Sequence, residues 1–236
     1  DLKLGGQGAP IAPIYHKFIA KELNLINPCC FLNIGGISNI TYVDSKDDVL
    51  IGFDVGPGNA LMDYEIQKST WLRYDTKGEI AARGKVNKKL VKIFFEDTFF
   101  SKNAPKSLDK AYFNFILNNH EYLKLSLEDK IRTLAELTVL SIKKSILQLP
   151  LYPKIILVSG GGTNNNFMMK MLNKKIKINI KKTNYYNLNA EYIEAEMIAF
   201  LAARSFYNLP ITFPSTTGVL YPTSGGEISI FDEIID

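Results

Sequence analysis

Three glycine-bearing stretches and one carboxylate hold the chemistry this sequence can perform. In Asn33-Ile34-Gly35-Gly36 two glycines follow an apolar run, and backbone without Cβ atoms can bring its N–H groups close to an anion. The same pair can equally close a plain hairpin. Residues 159–165 read SGGGTNN and set Gly160, Gly161 and Gly162 between a strand-like and a helix-like run, where α/β proteins gather ligands at strand carboxyl ends. A turn in which Asn164 or Asn165 caps the following helix fits as well. The stretch is neither a GxGxxG fingerprint nor a phosphate loop ending in lysine. Asp54, in GFDVGPGN, follows Ile51 and Phe53, so its carboxylate is expected at the rim of a sheet, ionised at neutral pH and able to take a proton from a hydroxyl or water. Its other reading is an Asx turn before GPG, with Asn59 capping the next helix.

The elements that must position these residues follow from periodicity. CCFLNI, NITYVD and VLIGFD are rich in β-branched and aromatic residues and are separated by GGIS and SKDD, which gives three successive strands with tight connections. From Asn59 or Ala60 the spacing of Leu61, Met62, Ile66 and Leu72 predicts a helix. NKKLVKIFFEDTFF and LEDKIRTLAELTVLSIKKSILQL are amphipathic in the same sense, with Pro105 and Pro150 as punctuation. KIILVSGGG is a strand entering a glycine turn, NNNFMMKMLNKK a helix, KIKINI a strand and NAEYIEAEMIAFLAARSFY a closing helix. The order βββαααβαβα implies a layered α/β domain, a sheet covered by helices.

Composition excludes several function classes. The net charge of +4 comes almost wholly from lysine, since Arg73, Arg83, Arg132 and Arg204 are the only arginines and are scattered, so a nucleic-acid groove is not expected. Cys29 and Cys30 are adjacent in a strand, which points them to opposite faces and argues against a mutual disulfide and for a reducing, cytoplasmic setting. No apolar stretch reaches the length of a bilayer span, so no membrane association is expected. His16 and His120 stand apart with no Cys/His cluster, so no protein-bound metal is expected. No GxSxG frames a serine nucleophile. The first residue is Asp1, not methionine, so either a start has been removed or the chain is part of something longer.

Taken in order, GGQGAPIAPIYH (5–16), FLNIGGISNIT (31–41), GFDVGPGNALMD (52–63), YDTKGEIAARGKV (74–86), VSGGGTNNNFMM (158–169) and TTGVLYPTSGG (216–226) resemble the anhydro-N-acetylmuramic acid kinases, in spacing as well as in words. The resemblance implies an RNase H-like lobe of the sugar kinase, Hsp70 and actin superfamily, α/β with a mixed sheet flanked by helices. It implies ATP with Mg²⁺ held mainly through the nucleotide, and anhydro-N-acetylmuramic acid as substrate. The 1,6-anhydro ring would be opened by water and phosphorylated at O6, a step of cell-wall recycling. By residue it assigns the general base to Asp54, the second phosphate loop to Gly35 and Gly36, and the adenosine contact to Gly160, Gly161, Gly162 and Asn164. It places Glu194 near the sugar, the alternative being a solvated helix face.

The same resemblance divides the chain into a lobe-connecting segment and first helix over 1–27 and a C-terminal lobe over 28–236. A missing N-terminal lobe, with a first phosphate loop, is expected in the same or a separate chain, and a homodimer is allowed. APKSLDKAYF (104–113) departs from the family's PKSTGRE, with Lys110 and Ala111 in place of Arg and Glu, which puts the role of that loop in doubt. A nucleotide-binding remnant without transfer chemistry is therefore the second reading.

Overall fold

The computed structural model describes residues 1–188 and 192–229. Three strands, β1 (Cys29–Ile34), β2 (Ile37–Asp44) and β3 (Val49–Pro57), form an antiparallel meander, and β4 (Ile155–Ser159) and β5 (Asn179–Lys182) add to it in parallel. The sheet order is β3-β2-β1-β4-β5. With β2 running against its neighbours, this is the RNase H-like arrangement expected from the sequence.

Helices α1 (Pro13–Glu22), α2 (Ala60–Ser69), α3 (Glu79–Arg83), α4 (Lys88–Phe95), α5 (His120–Leu123), α6 (Leu127–Ile146), α7 (Asn166–Lys175), α8 (Ile193–Phe206) and α9 (Pro214–Thr217) complete the described fold. None of them is long and apolar enough to cross a membrane. Strand alternation sorts the core. Cys30, Leu32 and Ile34 join one cluster with residues of α2, α6 and α7, whereas Cys29 and Phe31 join a second with α1 and Leu201 of α8. The two cysteines are buried on opposite faces and both are free.

α6 is the main support beneath the sheet. Ser126 accepts from the Asp129 N–H at its start, Glu128 and Asp129 lie in its first turn, and Lys143 and Lys144 lie in its last, all favourable to the helix dipole. Ile131, Leu134, Leu137, Val139 and Ile142 are buried, each worth about 1.5–3 kcal/mol when fully removed from water. Its small hydroxyl residues let it approach closely: the Thr138 hydroxyl donates to Gly58 O over 3.0 Å, and a Cβ on Gly56 would lie 2.6 Å from the Ser141 Cβ.

On the other face the His16 ring stacks on Phe31, with centroids 4.5 Å apart and planes within 1°, and its Nδ1 pairs with the Thr41 hydroxyl at 2.8 Å. Burial pushes this imidazole down to about 3, so it is a neutral packing group. The first residues are knit to the segment before residue 221, with the Thr217 hydroxyl on Asp1 at 2.6 Å and the Gln7 N–H on Thr217 O at 2.8 Å.

Several element bounds differ from the sequence reading for local reasons. α2 stops at Ser69, where Thr70 turns extended and its hydroxyl bonds back to Ile66 O, so Leu72 falls outside the helix and is exposed. The last strand lies at 179–182 rather than 175–180, because α7 runs through Lys175 and Ile176 serves as its buried C-cap. The closing helix begins at Ile193, and residues 189–191 of the expected span lie outside the described residues.

Candidate functional site

β1 and β3 both run against β2, and β4 runs with β1, so the carboxyl ends of β1, β3 and β4 share one edge of the sheet. Three turns meet there. Gly58 N–H donates to Gly36 O over 2.9 Å, Asn59 N–H to Gly35 O over 2.7 Å and Ala60 N–H to Gly36 O over 3.2 Å, while the Asn59 side chain donates to Ile34 O over 3.1 Å. The start of α2 is thereby tied to the 35–36 turn.

The glycines of this edge divide into two kinds. A Cβ on Gly58 would run into the Gly35 carbonyl, and one on Gly160, whose φ is +85°, into the Asn33 side chain and the Ile34 carbonyl. A side chain on Gly162 would strike Ile34. These three are required by packing. At Gly36 and Gly161 the nearest atoms would be 3.6 and 3.9 Å from a Cβ, and at Gly35 they would be 3.4 Å away. Neither Gly35 nor Gly36 has positive φ, so the 35–36 turn is a hairpin and lacks the left-handed residue of an anion nest. The fold would accept side chains at 35, 36 and 161, and their absence leaves bare main chain at the strand ends.

Beside that bare backbone is a cavity of about 520 Å³, within the usual range for a small-molecule site. Its walls include Asn59, just before α2, and Asp63 within it, Tyr74 and Lys77 from the following loop, and Gly161 and Asn164 from the turn after β4. Asp75 holds the outer wall by accepting from Ile80 N–H and Ala81 N–H over 2.8 and 3.0 Å. Of the two candidate caps it is Asn165 that caps α7, accepting from Met168 N–H over 2.9 Å; Asn164 is left exposed on the cavity wall. The Asp63 carboxyl is pushed up to about 6 by burial.

Asp54 does not line this cavity. It lies on the edge strand β3 directly opposite Asn39, immediately before a bulge at which the β2–β3 register slips and Val55 is left unpaired. Register continues the row: Asn39 is opposite Asn33, and Asn33 is opposite Ser159. Asp54, Asn39, Asn33 and Ser159 thus form one polar rung across four strands on the face that carries α1 and α8. All four are half-buried, whereas their apolar neighbours are buried. Among the described residues no side-chain hydrogen bond is made by Asn33, Asn39 or Ser159, so these groups are free for a ligand or water. Asn33 connects the rung to the glycine turns, because its carboxamide sits where Cβ atoms on Gly35 and Gly160 would point.

The departing loop at 104–113 has a place in this site. Asp54 N–H donates to Lys106 O over 2.9 Å, and Leu108 N–H donates to Asp54 Oδ2 over 2.8 Å. Burial pushes the Asp54 carboxyl up to about 6, and the Leu108 hydrogen bond pulls the other way. Beneath the loop, Lys106 is 5% exposed and directs its ammonium to Phe99 O and Lys102 O, at 3.3 and 3.0 Å, and over the Phe99 ring at 4.5 Å. Burial, reinforced by Lys144 and Lys102, lowers it to about 8. The expected sugar residue Glu194 is exposed on the first turn of α8 and does not line the cavity. Its neighbour Glu196 accepts from the Tyr15 hydroxyl over 2.9 Å, which ties α8 to α1.

Sequence reasoning missed Asn33, Asn39, Ser159 and Asp63. Counting alternate residues along paired strands from Asp54 would have found the rung, and the one-turn spacing from Asn59 would have found Asp63. Nothing in the sequence signals the Leu108 contact, which is made by main chain. Among the described residues no group of three or more His, Cys, Asp or Glu side chains could hold a metal ion.

Comparison with known proteins adds to this geometry. The family model described as anhydro-N-acetylmuramic acid kinase matches residues 1–230. Proteins of that name from Zymomonas mobilis and Caulobacter vibrioides are 40% and 38% identical to the chain over 97% of its length, and the matched parts are 61% and 60% of those proteins. The corresponding protein of Haemophilus influenzae is 40% identical over 97% of this chain and 63% of its own. The chain therefore spans about three-fifths of the length of these curated relatives. A solved structure, the activator of the 2-hydroxyisocaproyl-CoA dehydratase from Clostridium difficile with bound ADPNP, overlaps 67% of this chain and 55% of its own at 11% identity, with a TM-score of 0.43. With the family model matched over almost the whole sequence, the chain belongs to the anhydro-N-acetylmuramic acid kinase family.

Proposed function

We propose that these residues are the base-bearing, nucleotide-holding lobe of an ATP-dependent anhydro-sugar kinase. Residues 28–236 would form the lobe and 1–27 the connecting segment with its first helix. The part of the relatives that has no counterpart here would supply an N-terminal lobe and close the cleft. ATP would supply the phosphoryl group. Gly35 and Gly36 would lie against its phosphates, and Gly160, Gly161, Gly162 and Asn164 against its adenosine; what supports this is the bare backbone at 35, 36 and 161 and the adjoining cavity, which Gly161 and Asn164 line. Mg²⁺ would be held through phosphates and water rather than by a protein cage.

Asp54 would take the proton of the water that adds to the anomeric carbon. O6 would then leave that carbon and receive the phosphoryl group, giving the 6-phosphate. Phosphoryl transfer needs positioning and charge neutralisation more than covalent help from the protein. The polar rung would orient the sugar beside the base, with Glu194 approaching from α8. The observation that carries this reading is the placement of Asp54, on a bulged edge strand with a carboxyl raised by burial toward neutrality, as suits a general base.

The test is ADP release with anhydro-N-acetylmuramic acid as acceptor, using this chain together with the complementary part of a relative. Asp54→Asn should lower turnover by about 10²–10⁴-fold. Undiminished turnover would remove Asp54 from the mechanism. The loop carrying Lys110 and Ala111 favours the second reading, a nucleotide-binding remnant. Tight ATP binding with no sugar-dependent turnover in the complemented system would establish that one instead.

A further inference from the structure

The cavity contains two carboxylates, and they are not equivalent. Asp75 is occupied, with both oxygens accepting from the backbone of α3. Asp63, one turn into α2, lines the same cavity, and among the described residues no ion pair or side-chain hydrogen bond reaches its carboxylate. It is half-buried, and burial alone moves it up to about 6. A carboxylate so placed is costly unless a donor meets it.

The opposing walls show what kind of donor is missing. Asn59 is fixed by its bonds to Ile34 O and Gly35 O, and Asn165 is used up as a helix cap. What remains facing the space includes bare Gly161, Asn164, Tyr74 and the cations Lys77 and Lys182, and none of them is paired with Asp63. Asp63 also lies between the two regions on which the nucleotide reading depends: its N–H bonds Asn59 O, which leads to the 35–36 turn, and the 161–164 turn forms the far wall.

We infer that Asp63 accepts hydrogen bonds from the ribose hydroxyls of the bound nucleotide and selects ribonucleotides over their deoxy counterparts. The inference rests on the nucleotide reading of the cavity and goes beyond it by naming the sugar of the nucleotide and the residue that reads it. A carboxylate presents two oxygens, which match the two vicinal hydroxyls of a ribose. Phosphates at the 35–36 turn and base at the 161–164 turn put the ribose between them, beside Asp63.

Calorimetric titration of the 236-residue chain with ATP and with 2′,3′-dideoxy-ATP, for wild type, Asp63→Asn and Asp63→Ala, tests this. Wild type should bind ATP at least about tenfold more tightly than the dideoxy nucleotide, since a hydrogen bond to a charged group is worth about 1.5–3 kcal/mol. Asp63→Ala should remove that preference by weakening ATP and leaving the dideoxy nucleotide unchanged. Asp63→Asn, which relieves a buried charge without changing shape, should melt no lower than wild type and lose most of the preference. ATP binding with equal affinity for the two nucleotides, or equal loss of both in the variants, would overturn the Asp63 assignment and leave the nucleotide reading standing. Failure of wild type to bind either nucleotide would overturn both.

Discussion

The Leu108 N–H donates to Asp54 Oδ2 over 2.8 Å, joining residues 54 positions apart in the chain. Two influences of opposite sign therefore meet on one carboxyl: burial raises it and this hydrogen bond restrains the rise. The loop whose role is put in doubt by Lys110 and Ala111 thus meets the proposed base through its backbone.

The first consequence is in pH dependence. With Asp54 at about 6 in the folded chain, and about 3.9 when unfolded, the native state binds its proton more tightly between these values. Stability from this group is full below about pH 4 and is lost as pH rises through 6. Asp54→Asn should therefore melt above wild type at pH 8, and the two melting temperatures should converge toward pH 4. In the complemented enzyme kcat/KM should fall about tenfold per pH unit below 6, because the base must be ionised.

Lys106 should act on Asp54 at a distance. Lys106→Ala leaves the Phe99 and Lys102 carbonyls without their donor and opens a space under the loop, a loss of about 2–4 kcal/mol in chemical denaturation. If the 106–108 segment loosens, the restraining hydrogen bond weakens, and the acid limb of the pH profile should move above 6. A destabilised variant with an unmoved limb would confine Lys106 to packing.

Two glycine substitutions should separate fold from ligand contact. Gly58→Ala forces a methyl group into the Gly35 carbonyl and should cost about 1–3 kcal/mol in stability. Gly36→Ala, where a Cβ meets nothing nearer than 3.6 Å, should melt close to wild type yet weaken ATP in a calorimetric titration. Equal ATP affinity in Gly36→Ala would detach the 35–36 turn from the phosphates.

The paired asparagines give a parallel contrast. Asn165→Ala removes the α7 cap and should lower stability by about 1 kcal/mol. Asn164→Ala removes only a cavity-wall side chain, so its effect should appear in nucleotide affinity and not in the melting curve.

Much of the scaffold was legible because it depends on local rules. The adjacent cysteines declared the faces of β1, Gly35 and Gly36 marked the first hairpin, and the four- and three-residue spacing of Leu127, Ile131 and Leu134 declared α6. Boundaries set by non-local packing were less legible, as where Thr70 ends α2 while the apolar pattern continues to Leu72, and where α7 takes up the residues that read as a strand. In the site, glycine and carboxylate types drew attention to Asp54 and to Gly161, but sequence could not separate glycines demanded by packing, such as Gly58, from those that leave backbone open, such as Gly36. That difference lies in what surrounds each Cα. The Leu108 contact was invisible for a related reason, since a main-chain donor has no letter of its own.

The sheet's two rims are guarded by different means. On β3, the outward amide of Asp54 is already taken by Lys106 O, and at the opposite rim β5 is only four residues long and ends in Lys181 and Lys182. Unpaired strand edges recruit further strands, and short length, lysines and covering loops discourage them. The strap that tunes the proposed base thus also serves as a barrier to aggregation, so loosening it should promote strand-to-strand self-association as well as disturb chemistry.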